Sequence, residues 1–252
     1  MRVLSRAQAG EKSWSLSEFL ESSDWYVRLT PDQQLWVSQR MTARSVTAGE
    51  YLAAAGQIAT HGYTVLHGLL AWSEGNAEGA EITTGALLSG SWFGHATLFA
   101  QRPRRGYIIA LRDSTLACMP KDVFEWLLAE SIPFNNFMLR HMFARVQWLM
   151  GNIAARTTMT VDQQVASAIL GMTDPEMNPG VGSEINVSQE ELGRIAGCSR
   201  QRCCAAVKHL RALKLIETGY CDLIVRDRDQ LRAFVFDAKA PAAGPARPAY
   251  RY

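Results

Sequence analysis

Between Ser188 and Ile216 the chain reads SQEELGRIAGCSRQRCCAAVKHLRALKLI, a stretch that very few folds can accept. Ser188 with Glu191 three positions later is a capping box: the serine hydroxyl accepts from an early helix amide while the glutamate reaches back to the serine amide. Leu192, Ile195 and Ala196 then give that helix one apolar face. Gly197 supplies the tight turn that ends it, and Ser199 caps a second helix whose buried side is Val207 and Leu210. Two short helices joined by a glycine turn predict a helix-turn-helix. Past it, LKLIETGYCDLIVRD reads as two strands about Gly219, the wing of a winged helix.

The second helix carries a charge pattern that asks for an anion. From Ser199 to Lys214 there are five cations, Arg200, Arg202, Lys208, Arg211 and Lys214, and no acidic residue. A solvated helical hairpin would mix signs, whereas a one-sign face repels itself unless an anionic partner lies against it. Arg200 and Gln201 sit in the first turn, and Ala205 and Lys208 continue along the same side. In a recognition helix this is the edge that enters the major groove. Arginine pairs with guanine and glutamine with adenine, each good pair discriminating by roughly 1–3 kcal/mol. Arg202, Lys208 and Arg211 suit phosphates. Ser188, Gln189 and Ser199, at the two helix starts, complete the candidate contact set, since helix N-termini favour anions. Double-stranded DNA is the expected partner. The formal net charge is only +2, so the affinity must come from this patch.

The rest of the chain divides by composition. Ten of the 19 glycines lie between Gly49 and Gly106, separated by short apolar segments such as YTVLHGLLAW and RGYIIAL, which predicts a turn-rich β-roll or jelly roll. SLSEFLESSDWYVRLTPDQQLWVSQRM before it predicts short helices, with Leu29, Leu35 and Val37 packed on the barrel. From Pro133 the period changes. Met138, Met142, Val146, Leu149 and Ile153 form one stripe on a long helix with an early proline, which favours an intersubunit coiled coil over packing within one domain. A helix is expected over 163–172 and a loop over TDPEMNPGVGSE. The expected architecture is therefore α+β: an N-terminal extension over 1–22, a β-roll sensor domain over 23–132, a dimerisation helix over 133–158, a winged helix-turn-helix over 159–237 and a flexible, proline-containing tail over 238–252. The N-terminus lacks the apolar run of a secretory signal, no segment approaches a membrane span, and the five cysteines form no secreted framework. A soluble cytoplasmic protein with no membrane partner is expected.

This order of parts, from about Leu29 to Val235, resembles the CRP/FNR family of bacterial transcription regulators. SQEELGRIAGCSRQRCCAAVKHLRALKLIE is close to the family's helix-turn-helix. GSWFGHATLFAQRPRRGYIIAL is similar in frame to the phosphate-binding segment of cyclic-AMP receptors. The resemblance implies a homodimer joined by the long helix, a palindromic operator, contact with RNA polymerase, and an effector between the β-roll and the long helix. It places the effector set at Gly94, His95, Ala96, Arg105, Gly106, Leu149 and Met150, with Trp92, Phe93 and Trp148 nearby. Only Arg105 keeps the cyclic-AMP chemistry. His95 stands for the glutamate that meets the ribose, Gly106 for the phosphate serine or threonine, and Leu149 and Met150 for the polar pair that meets adenine. Unpaired nucleotide groups would cost about 1–3 kcal/mol each, so an effector other than cyclic AMP is expected. In the recognition helix Arg200 is kept, but the family's glutamate becomes Gln201 and a later arginine becomes Ala205.

Several alternatives stay open at this point. No cysteine precedes Cys118, so the iron–sulfur cluster of some members is not expected. Haem, with His61, His67, His95 and His141 as candidate ligands, is a minor alternative, as are cyclic di-nucleotides, an apolar metabolite, or a constitutive DNA-binding dimer with a vestigial pocket. Cys198, Cys203, Cys204 and Cys221 show no C-x-x-C spacing and read as packing residues. Arg102 to Arg105, RPRR, is either an anion site or a solvated loop. His61 and His67 make no metal-ligand pattern, and no nucleophile–base set or Walker loop is present, so neither catalysis nor a metal site is expected.

Overall fold

The computed structural model describes residues 11–75, 81–156, 159–219 and 222–236. The expected tail over 238–252 and Cys221 lie outside the described residues.

Three short helices come first: α1 (Leu16–Ser22), α2 (Asp24–Val27) and α3 (Pro31–Arg40). Both α1 and α3 begin with complete capping boxes, Ser15 with Glu18 and Thr30 with Gln33. Strands β1 (Thr42–Val46), β2 (Tyr51–Ala53), β3 (His61–His67), β4 (Leu70–Gly75), β5 (Glu81–Leu87) and β6 (Trp92–Phe93) follow, then α4 (His95–Ala100), β7 (Tyr107–Ala110) and β8 (Ser114–Pro120). They form two antiparallel four-stranded sheets, ordered β1-β8-β3-β6 and β2-β7-β4-β5. Inward-facing Val65, Leu70, Leu87, Phe93 and Leu116 fill the roll between them. At 0% exposure, Val65, Leu70, Leu87 and Leu116 each gain roughly 1.5–3 kcal/mol from burial.

Beneath the roll lies a second, aromatic core. Helix α5 (Lys121–Glu130) and the start of α6 (Ile132–Arg156) pack there against α1 and α2. Trp25 meets Phe134 edge-on at 5.1 Å, a favoured ring geometry. Phe19 and Leu20 of α1 belong to this core, so α1 is part of the β-roll unit although it falls within residues 1–22. Leu29 and Val37 are buried there too. Leu35 is not: two positions from Val37, it lies on the opposite side of α3 and is 56% exposed.

Helix α6 runs 25 residues, close to the expected 133–158, and its two sides differ. Met138 is buried against its own domain, and Met142 faces His95. Besides Ile132 at its start, the exposed large apolar residues of α6 are Leu139, Phe143, Val146, Met150 and Ile153, spaced four, three, four and three. The open seam is therefore rotated from the expected stripe, because nearly every position from 137 to 150 that could face either way is apolar.

The C-terminal unit comprises α7 (Val161–Met172), β9 (Glu184–Asn186), α8 (Gln189–Ala196), α9 (Arg200–Ala212), β10 (Ile216–Thr218), β11 (Asp222–Val225) and α10 (Arg228–Phe236). β10 and β11 pair as the expected wing, and β9 adds a third strand on β11, in order β10-β11-β9. This head rests on its own β-roll. Leu69 and Leu88 of the roll enter the head's core. Arg112 pairs with Glu191 at 2.9 Å and donates to the Asn186 carbonyl at 3.0 Å. Gly180 donates to the Ser89 carbonyl at 3.0 Å, and Ser91 bonds to Asn178.

Candidate nucleic-acid interface and effector cavity

The helix-turn-helix forms as its local signals require. The Ser188 hydroxyl accepts from the Glu191 amide at 3.2 Å, and the Glu191 carboxylate accepts from the Ser188 amide at 2.7 Å. Helix α8 stops at Gly197, whose φ of 72° is the left-handed conformation that glycine adopts without strain. The Ser199 hydroxyl then accepts from the Arg202 amide at 3.4 Å and opens α9. Cys203, Ala206, Val207 and Leu210 turn inward, which leaves Arg200, Gln201, Arg202, Ala205 and Lys208 exposed on the other side. Gln189 is exposed, but its amide oxygen accepts from the Cys204 thiol. Cys203 is fully buried, and burial pushes its thiol up to about 12, which keeps it protonated. Beside α9, Arg211, Lys214 and Arg226 line a groove against the wing. Arg226 belongs to a strand end that sequence reasoning did not connect with the recognition helix.

The second site is a cavity of about 330 Å³ between the β-roll and α6. Gly94, His95, Ala96, Arg105, Gly106 and Leu149 line it, with Trp92 and Phe93. Met150 does not: neighbours on a helix diverge by about 100°, so Leu149 faces the cavity while Met150 stands 66% exposed on the open seam. Trp148 packs instead between Gly85 and Gly171. Arg105 lies exposed at the mouth, and the half-buried arginine of the RPRR run is Arg104, beside Gly94. Arg145 of α6 also lines the cavity and carried no sequence signal of its own.

The chemistry of this cavity differs from that of a phosphate cradle. A Cβ on Gly106 would lie 2.6 Å from the Ser73 carbonyl oxygen and 2.8 Å from Trp72 Nε1, so no hydroxyl-bearing side chain fits there. His95 Nε2 is 3.1 Å from the Met142 sulfur, and its buried Nδ1 has no partner. Burial, then the charges of His141 and Arg145, hold its pKa well below the ordinary value. His141 contacts the carbonyls of Trp92 and Glu176, each at 3.2 Å, and burial is the main reason its pKa falls to about 4. Of the other histidines, His67 is exposed on β3, and half-buried His61 contacts Thr60. Among the described residues no group of three His, Cys, Asp or Glu side chains could hold a metal ion.

Two family models match this chain, a cyclic nucleotide-binding domain over residues 43–131 and a Crp-like helix-turn-helix domain over 163–234. The chain belongs to the CRP/FNR family. It is a DNA-binding transcription regulator of that type, with the expected β-roll, long helix and helix-turn-helix, and the family's members are regulators rather than enzymes. It is 24% identical over 193 residues, 75% of this chain and 86% of the relative, to the cAMP-activated global transcriptional regulator CRP of Haemophilus influenzae. The Pasteurella multocida protein of the same name is 25% identical over 180 residues, 69% of this chain and 85% of its own. The fold is shared with FixK2 from Bradyrhizobium japonicum, at a TM-score of 0.63 and 16% identity over 81% of this chain and 99% of that one. It is shared also with a CooA mutant from Carboxydothermus hydrogenoformans, at 0.60 and 16% over 90% and 99%. No helix of the described residues is long and apolar enough to cross a membrane.

Proposed function

We propose that this regulator works as a homodimer on a palindromic operator, gated by an effector other than cyclic AMP. The observation that carries the reading is the pairing of two exposed surfaces on one chain. One is the acid-free face of α9 led by Arg200; the other is the apolar seam of α6 with its spacing of four, three, four and three. A seam of that spacing buries itself against a second copy, and a two-fold pair of recognition helices reads two half-sites about one helical turn apart. Arg200 and Gln201 read bases, while Arg202, Lys208 and Arg211 hold phosphates. The H. influenzae relative is named as cAMP-activated; Gly106, His95 and Leu149 argue against the same effector here. RNA polymerase is the partner through which such a dimer would act.

The test is a gel-shift titration on an operator selected from random sequence. Arg200→Ala is expected to abolish specific binding while leaving weak, salt-sensitive binding to any duplex. Unchanged operator affinity in that variant refutes the assignment.

A further inference from the structure

The cavity contains a cation with no counter-charge. Arg145 enters it from α6, its Nε is out of contact with solvent and has no hydrogen-bond partner, and its guanidinium lies 6.0 Å from the centre of the Trp72 ring. Burial alone pulls this guanidinium down to about 10, with no carboxylate acting against it. The titratable side chains that face it from other elements are His95 on α4 and, on its own helix, His141; both are held neutral by burial. Among the described residues, Arg102, Arg104 and Arg105 stand at the mouth against one carboxylate, that of exposed Glu74. The field inside is therefore positive from floor to rim.

A half-buried charge with no counter-charge is costly to keep, and its retention in a cleft points to a ligand that supplies the opposite charge. The remaining wall is apolar: Trp72, Phe93, Ile108, Met142, Val146 and Leu149. We propose, resting on the effector reading above, that the ligand is a small carboxylate with an apolar or aromatic body, its carboxylate paired with the Arg145 guanidinium and its body against Trp72 and Phe93. A guanidinium presents parallel N–H donors at the spacing of two carboxylate oxygens. A phosphate would find no hydroxyl at Gly106 and no room for one. A cavity of about 330 Å³ sits at the small end of ligand sites, so the body is the size of one aromatic ring or a short acyl chain.

The experiment uses the full-length protein, with calorimetric titration and thermal melting at matched ionic strength. The probes are 4-phenylbutanoate, its neutral amide, a series of linear carboxylates from acetate to decanoate, inorganic phosphate and cyclic AMP. The expected result is at least tenfold tighter binding of 4-phenylbutanoate than of its amide, a preference that vanishes in Arg145→Met. Ligand-free Arg145→Met is expected to melt no lower than the parent, because it loses an unpaired charge rather than a structural bond. Equal binding of acid and amide, a preference that survives Arg145→Met, a lower melting point of that free variant, or no carboxylate of the series binding at all overturns the proposal. If cyclic AMP or phosphate binds instead and alters operator affinity, the ligand class is wrong and the gated-regulator reading stands. If the carboxylate binds through Arg145 and operator affinity does not respond, the site stands and the gating reading falls.

Discussion

Phe143 offers the sharpest test of how two chains meet. It is 65% exposed on α6, at the centre of the seam formed by Leu139, Val146, Met150 and Ile153. A phenylalanine presents roughly 200 Å², so about 130 Å² of Phe143 is available for burial, about 3 kcal/mol of transfer free energy per copy. A two-fold axis brings the residue into the interface twice, and area converts to affinity only in part. Taking half of the doubled figure, Phe143→Ala is expected to weaken dimerisation by about 3 kcal/mol, a roughly 100-fold rise in the dimer dissociation constant. Alanine is the best helix former, so α6 itself is preserved. Sedimentation equilibrium over a wide concentration range reads the constant, and far-ultraviolet circular dichroism checks the helix. A dissociation constant within threefold of the parent, with the helix intact, would show that this face does not join two copies.

Three further outcomes follow from the geometry. Gly106→Ser is expected to lower the urea midpoint and not to create cyclic-AMP binding, since its Cβ would press on the Ser73 carbonyl and Trp72; calorimetry with cyclic AMP checks it. The folded pKa of His141 is about 4, below an unfolded value near 6.5, so between those limits the unfolded chain takes a proton that the folded one refuses. Stability is then expected to fall as pH drops through that window, by at most about 1.4 kcal/mol per pH unit from this residue, and His141→Gln should flatten the decline in urea midpoints. Arg112→Met is expected to remove about 1–2 kcal/mol of head docking and to speed amide hydrogen exchange over β9 and the start of α8. Unchanged exchange there would show that the ion pair does not hold the head.

The features that were legible in the sequence are those whose cause is local. Ser188, Glu191, Gly197 and Ser199 act within one turn of their own backbone, so their spacing alone specifies the caps and the turn of the helix-turn-helix. The glycine spacing likewise predicts the roll. What could not be read depends on contacts distant along the chain. On α6, apolar residues lie on two sides, and only the position of the β-roll decides that Met138 turns inward while Leu139 is left open. Arg104 and Arg105 are indistinguishable until the loop pairs through the Arg104 amide with the Gln57 carbonyl at 2.9 Å. Strand β9 is three residues long and exists because β11 offers it an edge. Arg145 looks like any solvated helix arginine until the roll closes over it.

Glu191 has two duties, and they bind motion to integrity. The same carboxylate that closes the first turn of α8 also receives Arg112 from the β-roll. A head separated from the roll would lose this cation but keep the Ser188 amide, so its first turn would stay capped while the roll was left with an unpaired arginine. If the proposed gating moves the heads, breaking this pair costs electrostatic energy on the side of the β-roll, and a ligand that drives the movement has to outweigh that cost.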